Sequence, residues 1–420
     1  MDFEKILAEF KAAEAADDFD KASDIIAQII RYGNSMAASG KASEIPPSAK
    51  YIGSHVNVLI YQIMKLLSAG NVRQAKTYLL MLAKDNVESF DKFFHMLYLL
   101  GKTLYLTENY PQALKILTRY EDARSANFGD VDELSMFYRG NCLALLENFQ
   151  AAAAFYEQIL KIKADFPEVK TNLEIVRRGS NKNLIREISS LWNFPRWQDV
   201  PIFINARDRL GVMKKLIDWL LAAGYRNVII IDNASTYPPL LNYYSELEKD
   251  SRLKIIRLGK NFGFKALWQS NVLEQLKIVT PYVYTDPDIL PIGSCPKNFV
   301  RRLMKILNAN HELRKVGLGL VWEDINFFDK ANIQKLESDF YDGTRVGENL
   351  YFAQIDTIFA LYSNVRHYSL RLSLRTAGDL RAYHLPWYFD YENLPDDEKY
   401  YMAHADKNSV TSVKKYLQEI

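Results

Sequence analysis

The sequence predicts two domains of different class: an all-α helical-repeat domain over residues 1–178 and a Rossmann-like α/β domain over residues 199–420, joined by a linker over residues 179–198. The length of 420 residues leaves room for two hydrophobic cores. In the first part, apolar residues recur at the three- and four-residue spacing of amphipathic helices, and β-rich runs are absent. After Val200, short apolar runs alternate with amphipathic stretches, which is typical of a sheet covered by helices.

A short fragment recurs in the helical part, as Asn71–Ala75, Asn109–Ala113 and Asn148–Ala152. Gly101 and Gly140 each stand twelve residues before the last alanine of the second and third copies (113 − 101 and 152 − 140). This pattern indicates antiparallel helix pairs that approach closely at small residues. It resembles the tetratricopeptide repeat, with a period above the usual length of about 34 residues. The resemblance implies a concave surface for a protein partner, while bracing of the neighbouring domain or a dimer contact is the alternative.

Composition narrows the class of protein. A net charge of +2 argues against a dedicated nucleic-acid binder. Cys142 and Cys295 are far apart, which excludes a disulfide scaffold and fits a reducing compartment. The first twenty residues are charged throughout, and no run of about eighteen apolar residues occurs, so we expect neither a signal peptide nor a membrane span. We therefore expect a cytoplasmic protein.

The linker region is basic, since it holds or adjoins Arg177, Arg178, Lys182 and Arg186. Such a cluster fits contact with an acidic acceptor or peripheral contact with the anionic inner face of a membrane. A solvated linker face explains the same residues, and the sequence does not decide among these.

The α/β part is predicted to contain alternating strands and helices. The predicted strands are Pro201–Ile204, Val228–Ile231, Leu253–Leu258 and Pro281–Tyr284, and the predicted helices are Leu210–Ala223 and Phe264–Leu276. Because these strands are almost continuously apolar, a mostly parallel sheet covered on both faces is expected. Ligands bind such sheets at the carboxyl ends of the strands.

Polar residues follow three of the predicted strands. Asn205 and Arg207 follow the first, Asp232 ends the second, and Asp286-Pro287-Asp288 follows the fourth. Two carboxylates on either side of a rigid proline suit Mg²⁺ or Mn²⁺, which takes one or two carboxylates plus substrate phosphates. An ion that bridges a diphosphate would neutralise the charge developing on that leaving group.

The stretch from about 199 to 320 resembles the nucleotide-sugar-binding half of GT-A-fold glycosyltransferases similar to family 2. Residues 230–236 resemble the family's V-D-N-x-S-T turn, residues 260–263 its R-N-x-G stretch, and Asp286-Pro287-Asp288 its D-x-D motif. The resemblance implies a nucleotide-diphospho-sugar transferase. Its implied donor-binding residues are Asn205, Arg207, Asp232, Asn261 and Asp286, with Asp286 and Asp288 holding Mn²⁺ or Mg²⁺.

Two further residues are candidates on the acceptor side. Asp356 is a single acid in an apolar, strand-like run, and a partly buried carboxylate there would suit a general base; a structural aspartate is the alternative, with Glu323 and Asp324 as competing bases. His384 precedes Pro386-Trp387-Tyr388, and the resemblance implies that it is a third metal ligand, with His404 as the alternative.

The expected function is metal-dependent transfer of a sugar from a nucleotide-diphosphate donor, with UDP preferred, to a glycan, lipid-linked or protein acceptor in surface polysaccharide or glycoconjugate synthesis. Sugar-phosphate nucleotidyltransfer is one alternative, although residues 205–211 are not the Gly-rich loop it usually needs. A non-catalytic helical-repeat scaffold with a degenerate transferase domain is the other.

Overall fold

The computed structural model of the chain describes residues 2–16, 18–83, 94–128, 131–164, 166–188, 196–310, 313–342, 344–368, 370 and 372–405. These residues fall into two compact units. Those within Met1–Leu191, Asn310–Glu312 and Gly343–Glu348 form the first, and those within Trp192–Ala309, Leu313–Asp342 and Asn349–Ile420 form the second. In the described part of the chain, every helix is too short or too polar to span a bilayer.

The first unit is built of helices, as its periodicity predicts. They are α1 (Phe3–Ala15), α2 (Phe19–Ala38), α3 (Pro47–Ser54), α4 (Val56–Ser68), α5 (Val72–Ala83), α6 (Phe94–Leu106), α7 (Tyr110–Phe128), α8 (Glu133–Leu145), α9 (Phe149–Ile162) and α10 (Pro167–Arg177). Neighbours in sequence pack against each other, with α6 on α7, α8 on α9, and α9 on α10.

The two glycines singled out in the sequence lie at close contacts between paired helices. A Cβ atom on Gly101 of α6 would lie 2.6 Å from Leu117 of α7, and one on Gly140 of α8 would lie 2.7 Å from the Tyr156 ring of α9. The recurrent asparagine starts the second helix of a pair: the Asn148 side chain accepts a hydrogen bond from the Ala151 N–H and caps α9. Helix pairing in this unit therefore follows directly from the repeated fragment.

The second unit contains a mixed sheet with helices. Its strands are β1 (Ile202–Ala206), β2 (Val228–Asp232), β3 (Leu253–Arg257), β4 (Tyr282–Thr285), β5 (Ile289–Pro291), β6 (Lys315–Gly317), β7 (Gly319–Leu320), β9 (Leu350–Tyr351), β10 (Ala360–Tyr362), β11 (Ser373–Thr376) and β12 (Arg381–His384), while β8 (Arg345–Gly347) falls within the first unit. Its helices are α11 (Leu210–Ala222), α12 (Pro238–Leu247), α13 (Ala266–Gln269), α14 (Val272–Gln275), α15 (Phe299–Asn308), α16 (Lys330–Asp339) and α17 (Asp396–His404).

Within the second unit, the strands of the main sheet follow the order β3-β2-β1-β4-β10-β6-β11-β9. The first four strands are parallel, as their apolar sequences predict. The expectation of a mostly parallel sheet holds only for this half, because β10 runs antiparallel to both β4 and β6, and β9 antiparallel to β11. A smaller sheet has the order β5-β12-β7.

The prediction of one helix over Phe264–Leu276 is wrong, because the segment is not a continuous helix. The segment contains a 3₁₀ turn at Gly263–Lys265 and two one-turn helices, α13 and α14. Asn271 separates them in the left-handed conformation, with φ of 56°. Asparagine tolerates that conformation better than most residues.

Candidate active site

The polar residues that follow β1, β2 and β4 meet in one cleft of about 260 Å³. The parallel register places Ala206 beside Asp232, and Ile204 beside Thr285, so the three strands end at the same edge of the sheet. Of the residues predicted from sequence, those lining the cleft are Asn205, Arg207, Asn261, Asp286, Asp288 and His384. Asp232 and Asp356 are not among the lining residues.

The loops after β1 and β2 are held together by a buried aspartate. Asp208 is fully buried and has a positive φ of 57°. Its Oδ1 accepts hydrogen bonds from the backbone N–H groups of Thr236 (2.6 Å) and Tyr237 (2.9 Å). Its own N–H donates to the Ser235 Oγ at 3.1 Å. These bonds fix the first loop against the second, and so fix the neighbouring Arg207 and Arg209 at the cleft.

Two asparagines attach the 261–263 turn to the strand ends. Asn205 and Asn233 both donate from Nδ2 to the Gly263 carbonyl, at 3.3 and 2.9 Å, and the Phe262 N–H donates to the Asn233 Oδ1 at 2.8 Å. The Asn261 side chain closes the turn by accepting from the Gly263 N–H at 2.8 Å. Asn261 thereby lies in the same cleft as Asn205, although 56 residues separate them in the sequence (261 − 205).

Asp232 has a structural environment at the end of β2. It is buried, and its Oδ1 accepts from the Ser235 N–H and from the Tyr244 hydroxyl, both at 3.2 Å. Such bonds shape the turn that carries Asn233 into the cleft. A direct contact between Asp232 and a donor stays a prediction.

The two carboxylates of the Asp286-Pro287-Asp288 motif are buried and lie in different electrostatic environments. Burial, together with the charge of Asp288, raises the pKa of Asp286 above its usual range. Burial alone would also raise the pKa of Asp288, but the charges of Arg209 and His384 hold it well below its usual range. Asp286 is fixed by Thr357, whose hydroxyl donates to its Oδ2 at 2.6 Å.

An arginine that sequence reasoning missed sits beside the motif. Arg209 Nη1 donates to Asp288 Oδ2 at 2.5 Å. Its Nε and Nη2 donate to the two carboxylate oxygens of Glu398 on α17, at 2.8 and 2.9 Å. Glu398 is 189 residues from Arg209, so no local pattern could have indicated the pair. The only sequence signal was the position of Arg209 just after β1.

The smaller sheet brings His384 to the motif. His384 on β12 pairs with Ile289 on β5, and the Leu385 N–H donates to the Asp288 carbonyl at 2.9 Å. His384 Nε2 consequently lies 3.3 Å from Asp288 Oδ2. The alternative ligand His404 is at the end of α17, where its Nδ1 lies 2.8 Å from the Tyr400 carbonyl, and it does not line the cleft.

The residues at this corner fit a hard divalent cation in part. Asp288 Oδ1 is buried without a hydrogen-bond partner, and the two neighbouring carboxylates repel each other. Yet no three His, Cys, Asp or Glu side chains of the described residues are already arranged as a metal site. Mg²⁺ usually takes only one or two protein carboxylates, with phosphate oxygens and waters completing its shell, so the number of carboxylates at this corner is compatible with such an ion.

The prediction that Asp356 is a partly buried acid in a strand is wrong. Asp356 is exposed and lies in an irregular segment between β9 and β10, because residues 352–359 form no strand. Its Oδ1 accepts from the Tyr368 hydroxyl at 2.5 Å and from the Thr357 N–H at 2.8 Å. Through Thr357 it is adjacent to Asp286. The competing acids are paired elsewhere, Glu323 with Arg381 and Asp324 with the Tyr388 hydroxyl.

Similarity to known proteins is found among solved structures. No family model and no curated protein matches the chain. Among solved structures, it is similar to a mannosyltransferase from Pyrobaculum calidifontis in complex with GDP-Man and Mn²⁺, with 14% identity, a TM-score of 0.31, and coverage of 65% of this chain and 86% of that one. It is also similar to an O-GlcNAc transferase variant from Thermobaculum terrenum, with 14% identity, a TM-score of 0.25, and coverage of 46% and 40%. Both are glycosyltransferases, but TM-scores of this size do not define the fold of this chain.

Proposed function

We propose that the second unit is a GT-A-fold glycosyltransferase, which moves a sugar from a nucleotide-diphosphate donor to an acceptor hydroxyl with the help of Mn²⁺ or Mg²⁺. The observation that carries the proposal is the convergence, in one cleft, of Asn205, Asn261, Asp286, Asp288 and His384 from separate parts of the chain. The cleft lies at the carboxyl ends of parallel strands, where nucleotides bind in sheets of this type.

The residues divide by their chemistry. Asp288 and His384 would hold the cation, with Asp286 beside them; when bound, the cation neutralises charge on the diphosphate leaving group. Arg207 lines the same cleft, where its Nε lies 3.6 Å from Asp208 Oδ2, and its guanidinium would present a positive charge to a phosphate of the donor. Asn205 and Asn261 provide amide groups for the base or ribose. A uridine donor is proposed from the resemblance of residues 230–236 to the family turn.

The acceptor side is the aromatic part of the cleft. Phe327, Trp387 and Tyr391 line it, and the Trp387 ring packs edge-on against His384 with centroids 4.7 Å apart. Flat apolar rings beside a polar corner suit a sugar, which presents a C–H face and hydroxyl edges. We propose a glycan, lipid-linked or protein acceptor there. Asp356 does not line this cleft, and its role as general base stays a prediction from the sequence.

Donor binding tests the proposal. Calorimetry with UDP-, GDP- and CMP-sugars, with and without Mn²⁺, should show binding of one nucleotide class that strengthens with the metal. The Asp288→Asn variant keeps the shape of the motif but removes its charge. It should weaken Mn²⁺-dependent binding by at least roughly 100-fold, because changing even a residue that only supports a metal ligand costs about 10–100-fold.

Two controls keep the result interpretable. Glu323→Gln changes an exposed carboxylate that does not line the cleft and should bind the donor like the wild type. The tryptophan fluorescence of Asp288→Asn reports whether the second unit is still folded, because all six tryptophans lie at residue 192 or later. Donor affinity unchanged in a folded Asp288→Asn protein would refute the metal-binding role. A protein that binds none of the nucleotide-sugars would refute the transferase proposal itself.

A further inference from the structure

In the first unit, an irregular segment after α10 is held by a buried set of polar side chains. These are Tyr105 on α6, Asn141 on α8, Tyr156 on α9 and Asn172 on α10, each 2% exposed or less. Burying polar groups is costly unless they are hydrogen-bonded, and here the backbone of residues 185 and 186 supplies much of the bonding.

These side chains form hydrogen bonds with backbone groups of the segment. Asn172 pairs with Ile185 in both directions: its Oδ1 accepts from the Ile185 N–H at 2.7 Å, and its Nδ2 donates to the Ile185 carbonyl at 2.8 Å. Asn141 Nδ2 donates to the same carbonyl at 3.1 Å. The Tyr105 hydroxyl donates to the Arg186 carbonyl at 2.9 Å. Any residue except proline offers these backbone groups at position 185.

The four side chains are also hydrogen-bonded to one another. The Tyr156 hydroxyl and Asn172 Nδ2 both donate to Asn141 Oδ1, at 2.6 and 3.0 Å, and Asn141 Nδ2 donates to the Tyr105 hydroxyl at 3.0 Å. The amide groups are therefore held from the helices as well as from the segment. A peptide that enters this site meets donors and acceptors whose directions are already fixed.

Side chains add a sequence preference to this backbone recognition. Leu184 and Ile188 are buried, at 8% and 5% exposed. Between them, the exposed Arg186 lies 3.1 Å from the Glu108 carboxylate, in the turn between α6 and α7. The preference is thus an apolar residue, a non-proline, a basic residue, and an apolar residue two positions further on.

We propose that the face formed by α6, α8 and α10 is a peptide-binding site, which residues 184–188 of this chain occupy in cis and from which a second peptide of the same pattern can replace them. Because the segment is tethered, its effective concentration is on the order of millimolar. A free peptide is therefore excluded from the wild-type protein unless the tethered copy is weakened.

The test uses the full-length protein and a fluorescent peptide with the sequence of residues 181–188. Ile185→Pro removes the N–H that Asn172 accepts and leaves the face intact. Fluorescence anisotropy should show at least tenfold tighter peptide binding by this variant than by the wild type. Ile185→Ala, which shortens the side chain but keeps the N–H, is the matched control and should exclude the peptide as the wild type does. Adding Asn172→Leu to Ile185→Pro should abolish binding.

Failure of a folded Ile185→Pro protein to bind the peptide would overturn the proposal, since it would make the segment an inseparable part of the core. Amide hydrogen exchange of the wild-type protein gives an independent answer that needs no variant. The Ile185 amide should exchange through a local opening, faster than the interior amides of α8 and α9. If the Ile185 amide and the interior amides of α8 and α9 all exchange only when the whole unit unfolds, the segment is not replaceable.

Discussion

Lys315 is a buried lysine whose removal should change how the stability of the second unit depends on pH. It lies on β6 with no exposed surface, and its Nζ donates to the Ile355 carbonyl at 2.6 Å and to the Tyr362 hydroxyl at 3.3 Å. Burial lowers its pKa from 10.5 to about 7; the charge of Asp356 opposes this shift and that of Arg375 adds to it. The folded state thus releases this proton more readily than the unfolded chain does.

The sign follows from proton linkage. Between pH 7 and 10.5 the unfolded state binds more protons at this lysine than the folded state, so the free energy of unfolding rises with pH in that window. The slope is about 1.4 kcal/mol per pH unit at most, which gives about 2 kcal/mol between pH 7 and 9. Well below pH 7 the lysine is protonated in both states and contributes no further slope.

Lys315→Met keeps the volume and removes the titrating group. Urea unfolding followed by tryptophan fluorescence at pH 7, 8 and 9 should therefore show wild-type stability rising relative to the variant by about 2 kcal/mol. The lost hydrogen bond to Ile355 shifts the variant by a nearly constant amount and does not alter the slope. Lys335→Met changes an exposed lysine on α16 and should leave the slope as in the wild type. Parallel pH profiles for wild type and Lys315→Met would refute this reasoning.

Two other substitutions test a close helix contact and a buried ion pair. Gly140→Ala should destabilise the first unit by about 1–3 kcal/mol, because its Cβ would lie 2.7 Å from the Tyr156 ring; far-UV circular dichroism should show an earlier helical transition while tryptophan unfolding is unchanged, and a wild-type helical transition would contradict it. Glu337→Ala should lower tryptophan-monitored stability by about 3–5 kcal/mol, because it leaves the buried Arg375 guanidinium, now 2.6 Å from Glu337 Oε2, without its carboxylate. Adding Arg375→Met should recover part of the loss; no recovery would show that the charge is not the cause.

Much of the architecture could be predicted from local patterns. Helices in the first unit, and β1 to β4 in the second, are specified by periodicity and apolar runs that operate over about ten residues. The close helix contacts at Gly101 and Gly140 could be predicted, because a glycine at a fixed distance before a recurring alanine indicates that two helices approach closely. The gathering of Asn205, Asp286 and Asp288 followed from the rule that parallel strands end at one edge.

What sequence reasoning missed depends on contacts between distant residues. Arg209 and Glu398 meet across 189 positions, and neither is flanked by a pattern that indicates the other. Asp356 was placed in a strand because its neighbours are apolar, but those neighbours are buried in an irregular segment. Asn271 interrupts a helix that periodicity supports, because it adopts the left-handed conformation, with φ of 56°, that no helix continues through.

The distance in sequence between Arg209 and Glu398 has a consequence for the order in which the protein is made. The helical pairs of the first unit join residues within about forty positions, so they can form while the rest of the chain is still being translated. Until α17 leaves the ribosome, the guanidinium of Arg209 can pair with Asp288 but not with Glu398. The cleft therefore cannot be completed before α17 is made, and a nascent chain that stalls before residue 398 lacks Glu398 at the cleft while its helix pairs can already have formed.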